Sequence, residues 1–155
     1  MRLLVVAPSS AGMAIMEDGE ADDLFRLFCG TKIGEGQYRI VYAHALDSTL
    51  VIKRERAFNN FSNVMEWDFW TCSKGSKVRR WLAPVEWLSP GGMWLIQKRT
   101  YPLGARAIPK RVPDVFCDLK DDNWGLLDGR VVCHDYGNNR AVQQAFKRAR
   151  LVSSK

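Results

Sequence analysis

At 155 residues the chain is expected to form one domain with room for a sizeable core. A hydrophobic content of 46% with six tryptophans excludes a disordered polypeptide. The net charge of +6 suits phosphate-bearing or acidic partners: nucleotides, an acidic protein or, secondarily, nucleic acid.

In chain order, Leu3–Ala7 is an apolar run too short for a signal-peptide core or a membrane span. It reads as a strand or ordered arm, broken over residues 8–12. Residues 20–28 suit a helix with Leu24, Leu27 and Phe28 on its apolar face, acids in its first turn and Gly30 as its stop. Residues 31–42 read as strand, glycine loop, strand. Gly34 and Gly36 there let a backbone approach a phosphate closely, although a plain hairpin turn has the same pattern. The β-branched and aromatic run that follows, in place of a helix, argues against a dinucleotide-binding fingerprint.

Residues 48–53 form a strand ending in Lys53. Residues 58–73 place Phe58, Phe61, Met65 and Phe69 at helical spacing, with Glu66 and Trp70 as a bordering pair. A carboxylate beside an apolar face wants a cation, and Lys53 is the candidate; an ordinary boundary acid is the alternative. Residues 74–80 are a basic connector. Residues 84–88 and 93–97 are strands joined by the Ser89-Pro90-Gly91-Gly92 turn. Residues 100–113, with three prolines and a glycine, read as a loop.

The stretch 118–137 carries most of the information. Asp118 and Asn123 precede two apolar runs, 124–127 and 131–133, joined by Asp128-Gly129, a strong hairpin signal; Asp135 leaves the far end. Such a hairpin can gather three oxygen-bearing side chains around a hard cation such as Mg²⁺, though the same residue types are common in any loop. Residues 140–152 suit a basic amphipathic helix with Ala141, Ala145, Phe146 and Ala149 on one side. Cys29, Cys72, Cys117 and Cys133 lack metal-ligand spacing. Cys29, Cys117 and Cys133 read as buried free thiols, which implies a reducing, cytoplasmic setting.

The order of these signals resembles the eukaryotic-like protein kinase fold and its bacterial and phage-encoded relatives. The matching residues are Gly34, Gly36 and Val41, then Lys53 closing Val-Ile-Lys, then Glu66. Asp118-Leu-Lys120-Asp-Asp-Asn123 follows, and Asp135-Tyr-Gly137 closes the set over roughly residues 30–137. The Glu66…Trp70 pair and the Leu82-Ala-Pro84 turn look like small phage-type homologues. The resemblance implies a single α+β domain. An antiparallel five-stranded N-lobe sheet with one main helix would occupy about 20–99. A much reduced C-lobe of catalytic loop, hairpin and C-terminal helix would occupy about 100–155.

It also implies ATP and Mg²⁺ as cofactors. Gly34, Gly36 and Val41 would cover the nucleotide. Lys53 would bind the α- and β-phosphates, held by Glu66, and the strand end from Gln97 to Arg99 would contact adenine through its backbone. Asn123 and Asp135 would hold the metal, Asp118 would accept the substrate proton and Lys120 would face the γ-phosphate. This chain departs from the pattern in Phe116-Cys117 before Asp118, in Arg39 where a third glycine often stands, and in the lack of an activation segment. The expected function is transfer of a γ-phosphoryl group to a protein hydroxyl, acting on a host or partner protein, in the host cytoplasm if phage-encoded. The alternative is a catalytically inactive interaction protein on the same scaffold that binds and inhibits a host or defence protein. A small-molecule phosphotransferase ranks third.

Overall fold

The computed structural model describes residues 3–5, 14–16, 18–138 and 149–154. The chain is α+β. Its centre is a five-stranded antiparallel sheet in the order β3-β4-β5-β7-β6. The strands are β3 (Cys29–Glu35), β4 (Arg39–His44), β5 (Leu50–Glu55), β6 (Val85–Leu88) and β7 (Trp94–Lys98). A short hairpin of β1 (Leu3–Val5) and β2 (Ala14–Met16) precedes helix α1 (Asp18–Phe28). Among the described residues no helix is long and apolar enough to cross a membrane.

Alternation along β5 sets the two faces of the sheet. Ile52 joins Phe25 of α1 and Trp94 of β7 in a small core on one side. Lys53 and Glu55 belong to the other side, which carries helix α2 (Ser62–Cys72). There Phe69, Val85 and Leu95 pack with Val112, Phe116, Trp124, Cys133 and Tyr136 in the larger core. The second half of the chain therefore docks on the α2 side, and it is this docking that makes the cleft.

The helix faces differ from those expected. Among the described side chains of α1, Phe25 is the buried one, stacked on Trp87 at 5.0 Å and Trp94 at 5.6 Å, while Leu27 is 75% exposed. Gly30 does not stop the helix; it lies inside β3. Lys53 does not end its strand but sits within β5, which runs on to Glu55.

The stripe of Phe58, Phe61, Met65 and Phe69 is not the core face of α2. Phe58 is 79% exposed, Phe61 and Met65 are also exposed, and the helix begins only at Ser62. Its buried side is Ser62, Asn63, Glu66 and Phe69. The reason is the polar centre beneath it, which selects hydrogen-bonding side chains over phenylalanine.

The second half holds two small sheets. β9 (Trp124–Leu127) and β10 (Arg130–Cys133) form the expected hairpin. Asp128 and Gly129 both have positive φ, 49° and 74°, the type I′ geometry that Asp-Gly favours. β8 (Arg111–Pro113) pairs with β11 (Leu151–Ser153). Residues 100–113 are thus not wholly loop. The basic helix expected over 140–152 gives way to a strand at its end; residues 140–148 lie outside the described residues. Of the three thiols expected to be buried, Cys133 is, Cys29 is half-buried and Cys117 is exposed. Cys117 follows the buried Phe116, which takes the inward place that the apolar run provides.

Candidate functional site

Four charged side chains from four places in the chain meet beneath α2. Lys53 Nζ donates to Glu66 Oε1 at 2.7 Å and also to the backbone oxygen of His134. Arg39, the first residue of β4, donates from Nη1 to Glu66 Oε2 and from Nη2 to Asp135 Oδ1, both at 2.5 Å. Lys53, Glu66 and Arg39 are buried; Asp135 is part-exposed. Two cations thus balance two carboxylates, which is the condition for holding charge in a desolvated place.

Burial pulls the Lys53 ammonium below its ordinary value even against the attraction of Glu66. Burial also opposes the charge on Arg39, but Glu66 and Asp135 outweigh it and hold the guanidinium above its usual range. Burial alone would raise the Asp135 carboxyl. Arg39 and Lys53 reverse this and hold it below the usual carboxylate range.

Local structure fixes these positions. Asn63 Nδ2 donates to the backbone oxygens of Lys53, Gly92 and Met93 at 3.0–3.2 Å, and its Oδ1 accepts from Arg39 at 3.2 Å. The Glu55 carboxylate accepts the Asn63 amide at 2.5 Å and so caps the start of α2. The capping position itself, Phe61, offers no side-chain acceptor. Gln97 Nε2 donates to Glu66 Oε1 at 2.7 Å, giving that oxygen a second donor. Gly137, next but one to Asp135, passes so close to α2 that a Cβ there would lie 2.8 Å from the Ser62 carbonyl oxygen.

A cleft of about 1010 Å³ opens over this centre, large enough for a nucleotide. Residues 34–39, Val41, Val51 and Lys53 line one side; residues 97–104, Asp121–Trp124 and His134–Asp135 line the other. The strand–glycine loop–strand expected over 31–42 is present as β3, a turn and β4, closed by the Gly36 amide donating to Arg39 O at 2.9 Å. Gly34 and Gly36 have no positive φ, and a Cβ at either would find ordinary contact distances. The fold therefore does not require glycine at these two places.

Of the expected site residues, Gly34, Gly36, Val41, Lys53, Gln97, Arg99, Asn123 and Asp135 line the cleft. Glu66 stands behind Lys53. Asp118 and Lys120 are not among the lining residues. They lie 3.7 Å apart, Lys120 is largely exposed, and Asn123 Nδ2 ties back to the Asp118 carbonyl at 3.2 Å. At the strand end where adenine was expected, the Lys98, Arg99 and Tyr101 amides already donate to Pro84, Thr49 and Leu126. These three donors are committed to the fold.

His134 fits between the two halves. Its Nε2 faces the Asp122 carbonyl at 2.9 Å and its Nδ1 faces the Thr100 hydroxyl at 2.8 Å. A carbonyl can only accept, so Nε2 carries the proton and Nδ1 accepts from Thr100. Burial, aided by Lys53, lowers the His134 pKa to about 4, which leaves the ring neutral at neutral pH.

The donor set for a divalent ion can be tested here. No cluster of three or more His, Cys, Asp or Glu side chains suited to a metal occurs among the described residues. Mg²⁺ can manage with one or two carboxylates when phosphates complete its shell, so the test turns on Asp135 and Asn123. Asp135 already carries a guanidinium on Oδ1, and both oxygens of Glu66 are engaged. A dication on Asp135 would share one carboxylate with a full positive charge in contact with it. With the Arg39 guanidinium in contact with it, Asp135 does not fit the part of principal Mg²⁺ ligand.

Arg39, Asn63, Glu55 and His134 are parts of the site to which residue patterns assigned no role. Arg39 carried one signal, its place where a glycine often stands; Asn63 and Glu55 carried none. Compared with protein-family models and with curated proteins, the chain matches neither a family nor an individual protein.

Proposed function

We propose that this is a reduced protein-kinase-like phosphotransferase that binds ATP in the cleft and passes its γ-phosphoryl group to a hydroxyl on a host or partner protein. One observation carries the reading: Lys53 of β5 and Asp135 at the end of the β9–β10 hairpin line a nucleotide-sized cleft, with Glu66 of α2 bonded to Lys53 behind it. The five-stranded sheet and the hairpin between Asn123 and Asp135 support it, as does a glycine loop whose glycines the fold does not need.

In the proposed step the substrate oxygen forms a bond to the γ-phosphorus. The bond from that phosphorus to the β–γ bridging oxygen breaks, and the hydroxyl proton passes to the Asp118 carboxylate. ADP leaves. Lys53 positions the phosphates, and Glu66 positions Lys53. Because Asp135 does not fit the part of principal ligand as it stands, no part of this step is assigned to Mg²⁺. The test is transfer of labelled phosphate from ATP, together with the melting temperature at millimolar nucleotide. Lys53→Met and Asp118→Asn are expected to abolish transfer, and a wild-type melting temperature that nucleotide leaves unmoved would overturn the reading.

A second reading, a non-catalytic interaction protein on the same scaffold, is favoured by the Arg39–Asp135 pair and by a cleft lining that does not include Asp118. Inhibition of a partner that survives Asp118→Asn and Asp135→Asn would decide for it.

A further inference from the structure

Arg39 is the feature of the centre that the proposed function does not use. It is a fully charged side chain buried at the floor of the cleft, and its planar fork spans two carboxylates from two different elements. Arginine suits this task better than lysine, since two donors in fixed geometry can serve two acceptors at once. Asn63 holds the same guanidinium through Nη1 at 3.2 Å, and the carbonyl of Arg39 closes the turn of the glycine loop. The side chain is therefore fixed from three directions and tied to the segment that covers the cleft.

We propose that the Arg39 guanidinium holds the place of a divalent cation beside Asp135, so that the cleft takes the polyphosphate of a nucleotide without a metal ion. The ligand class rests on the nucleotide-binding reading above; the exclusion of the metal rests on the geometry alone. Phosphate oxygens entering the cleft meet two built-in cations, Arg39 and Lys53, both of which line it. A divalent ion at Asp135 would be a third positive centre, and its principal ligand already carries the first.

The experiment compares Mn²⁺ binding to the full chain and to Arg39→Met, read as paramagnetic broadening of the Asp135 and Tyr136 amide signals. Wild type is expected to show no broadening at these amides at submillimolar Mn²⁺. Arg39→Met is expected to bind Mn²⁺ there at least about tenfold tighter, and to lose the gain when Asp135→Asn is added. In parallel, wild-type affinity for ATP in excess EDTA is expected to stay within about threefold of that with Mg²⁺.

Equal broadening in wild type and variant overturns the proposal, as does ATP affinity that collapses in EDTA. If Arg39→Met does not fold, the wild-type titration decides by itself: broadening at Asp135 rejects the proposal and its absence supports it. A chain that binds no nucleotide under either condition rejects the proposed function, while the Mn²⁺ comparison still judges the place of Arg39.

Discussion

Glu66 is where the energetics of single residues are sharpest. It accepts from Lys53, Arg39 and Gln97 with no exposure to water. Removing its charge leaves the buried Lys53 with no carboxylate in contact and Arg39 with Asp135 alone. Glu66→Gln is therefore expected to lose about 3–5 kcal/mol of stability in urea unfolding, far more than an exposed pair such as Arg26–Asp22 would cost. The glycines divide in the same way. Gly36→Ala is expected to leave stability within about 0.5 kcal/mol of wild type, because the added methyl meets nothing nearer than the Arg39 carbonyl oxygen at 4.0 Å, and, on the proposed function, to weaken nucleotide binding at a residue that lines the cleft. Gly137→Ala meets the Ser62 carbonyl and is expected to cost about 1–3 kcal/mol, measured by the same unfolding curves. If Gly36→Ala proved the more destabilising of the two, the loop would be a structural turn.

The Lys53–Glu66 pair was legible in the sequence because a lysine closing a β-branched run and an acid beside a helix stripe each need the other. Arg39 and Asn63 were not, because arginine and asparagine are usually exposed and nothing local marks the ones that are buried.

Among the elements, α2 shows how an apolar period can point to the wrong face. Of Phe58, Phe61, Met65 and Phe69 only the last two lie in the helix, and only Phe69 is buried. Apolar periodicity finds a core when the core is apolar. Here the sheet presents Lys53 and Glu55 to the helix, so the buried turn is Ser62, Asn63 and Glu66, which no hydrophobic pattern can register. The hairpins were legible because Asp-Gly and Pro-Gly-Gly act locally. β11 was not, because its pairing with β8 depends on a partner about 40 residues away and its own sequence, Leu-Val-Ser, is equally at home in a helix end.

The start of α2 also stores a small strain. Phe61 adopts φ 56°, a left-handed conformation that a bulky side chain rarely takes, and its side chain is mostly exposed. Phe61→Gly is expected to raise stability by about 0.5–1 kcal/mol. Glu55→Gln, which removes the charge from the cap, is expected to lower it by about 1–2 kcal/mol. Thermal or urea midpoints check both, and a destabilised Phe61→Gly would mean that the exposed ring packs on something of value.

At the scale of the whole molecule, the junction between the two halves predicts a pH dependence. The His134 pKa is lowered from 6.5 to about 4 in the folded chain. Between those values the unfolded chain binds a proton that the folded chain does not, so stability falls as pH drops through this window, by at most about 3 kcal/mol. Asp135 acts in the same direction. Its carboxyl is held below the usual range by Arg39 and Lys53 despite burial, so its contribution is present above the ordinary carboxylate pKa and disappears as pH falls through the lower folded value. The urea midpoint is expected to decline from pH 7 to pH 4.5, and His134→Gln, which can keep both neutral hydrogen bonds, is expected to flatten the upper part of the decline. A midpoint constant over this range would mean that His134 is solvated.

Asn63 has a mechanical consequence. Through one amide it joins α2 to β5, to the β6–β7 turn and to Arg39. A helix so riveted cannot pivot outward without breaking four bonds in concert, three of them buried and one part-buried. Amide hydrogens of residues 65–69 are consequently expected to exchange with deuterium only when the entire chain opens.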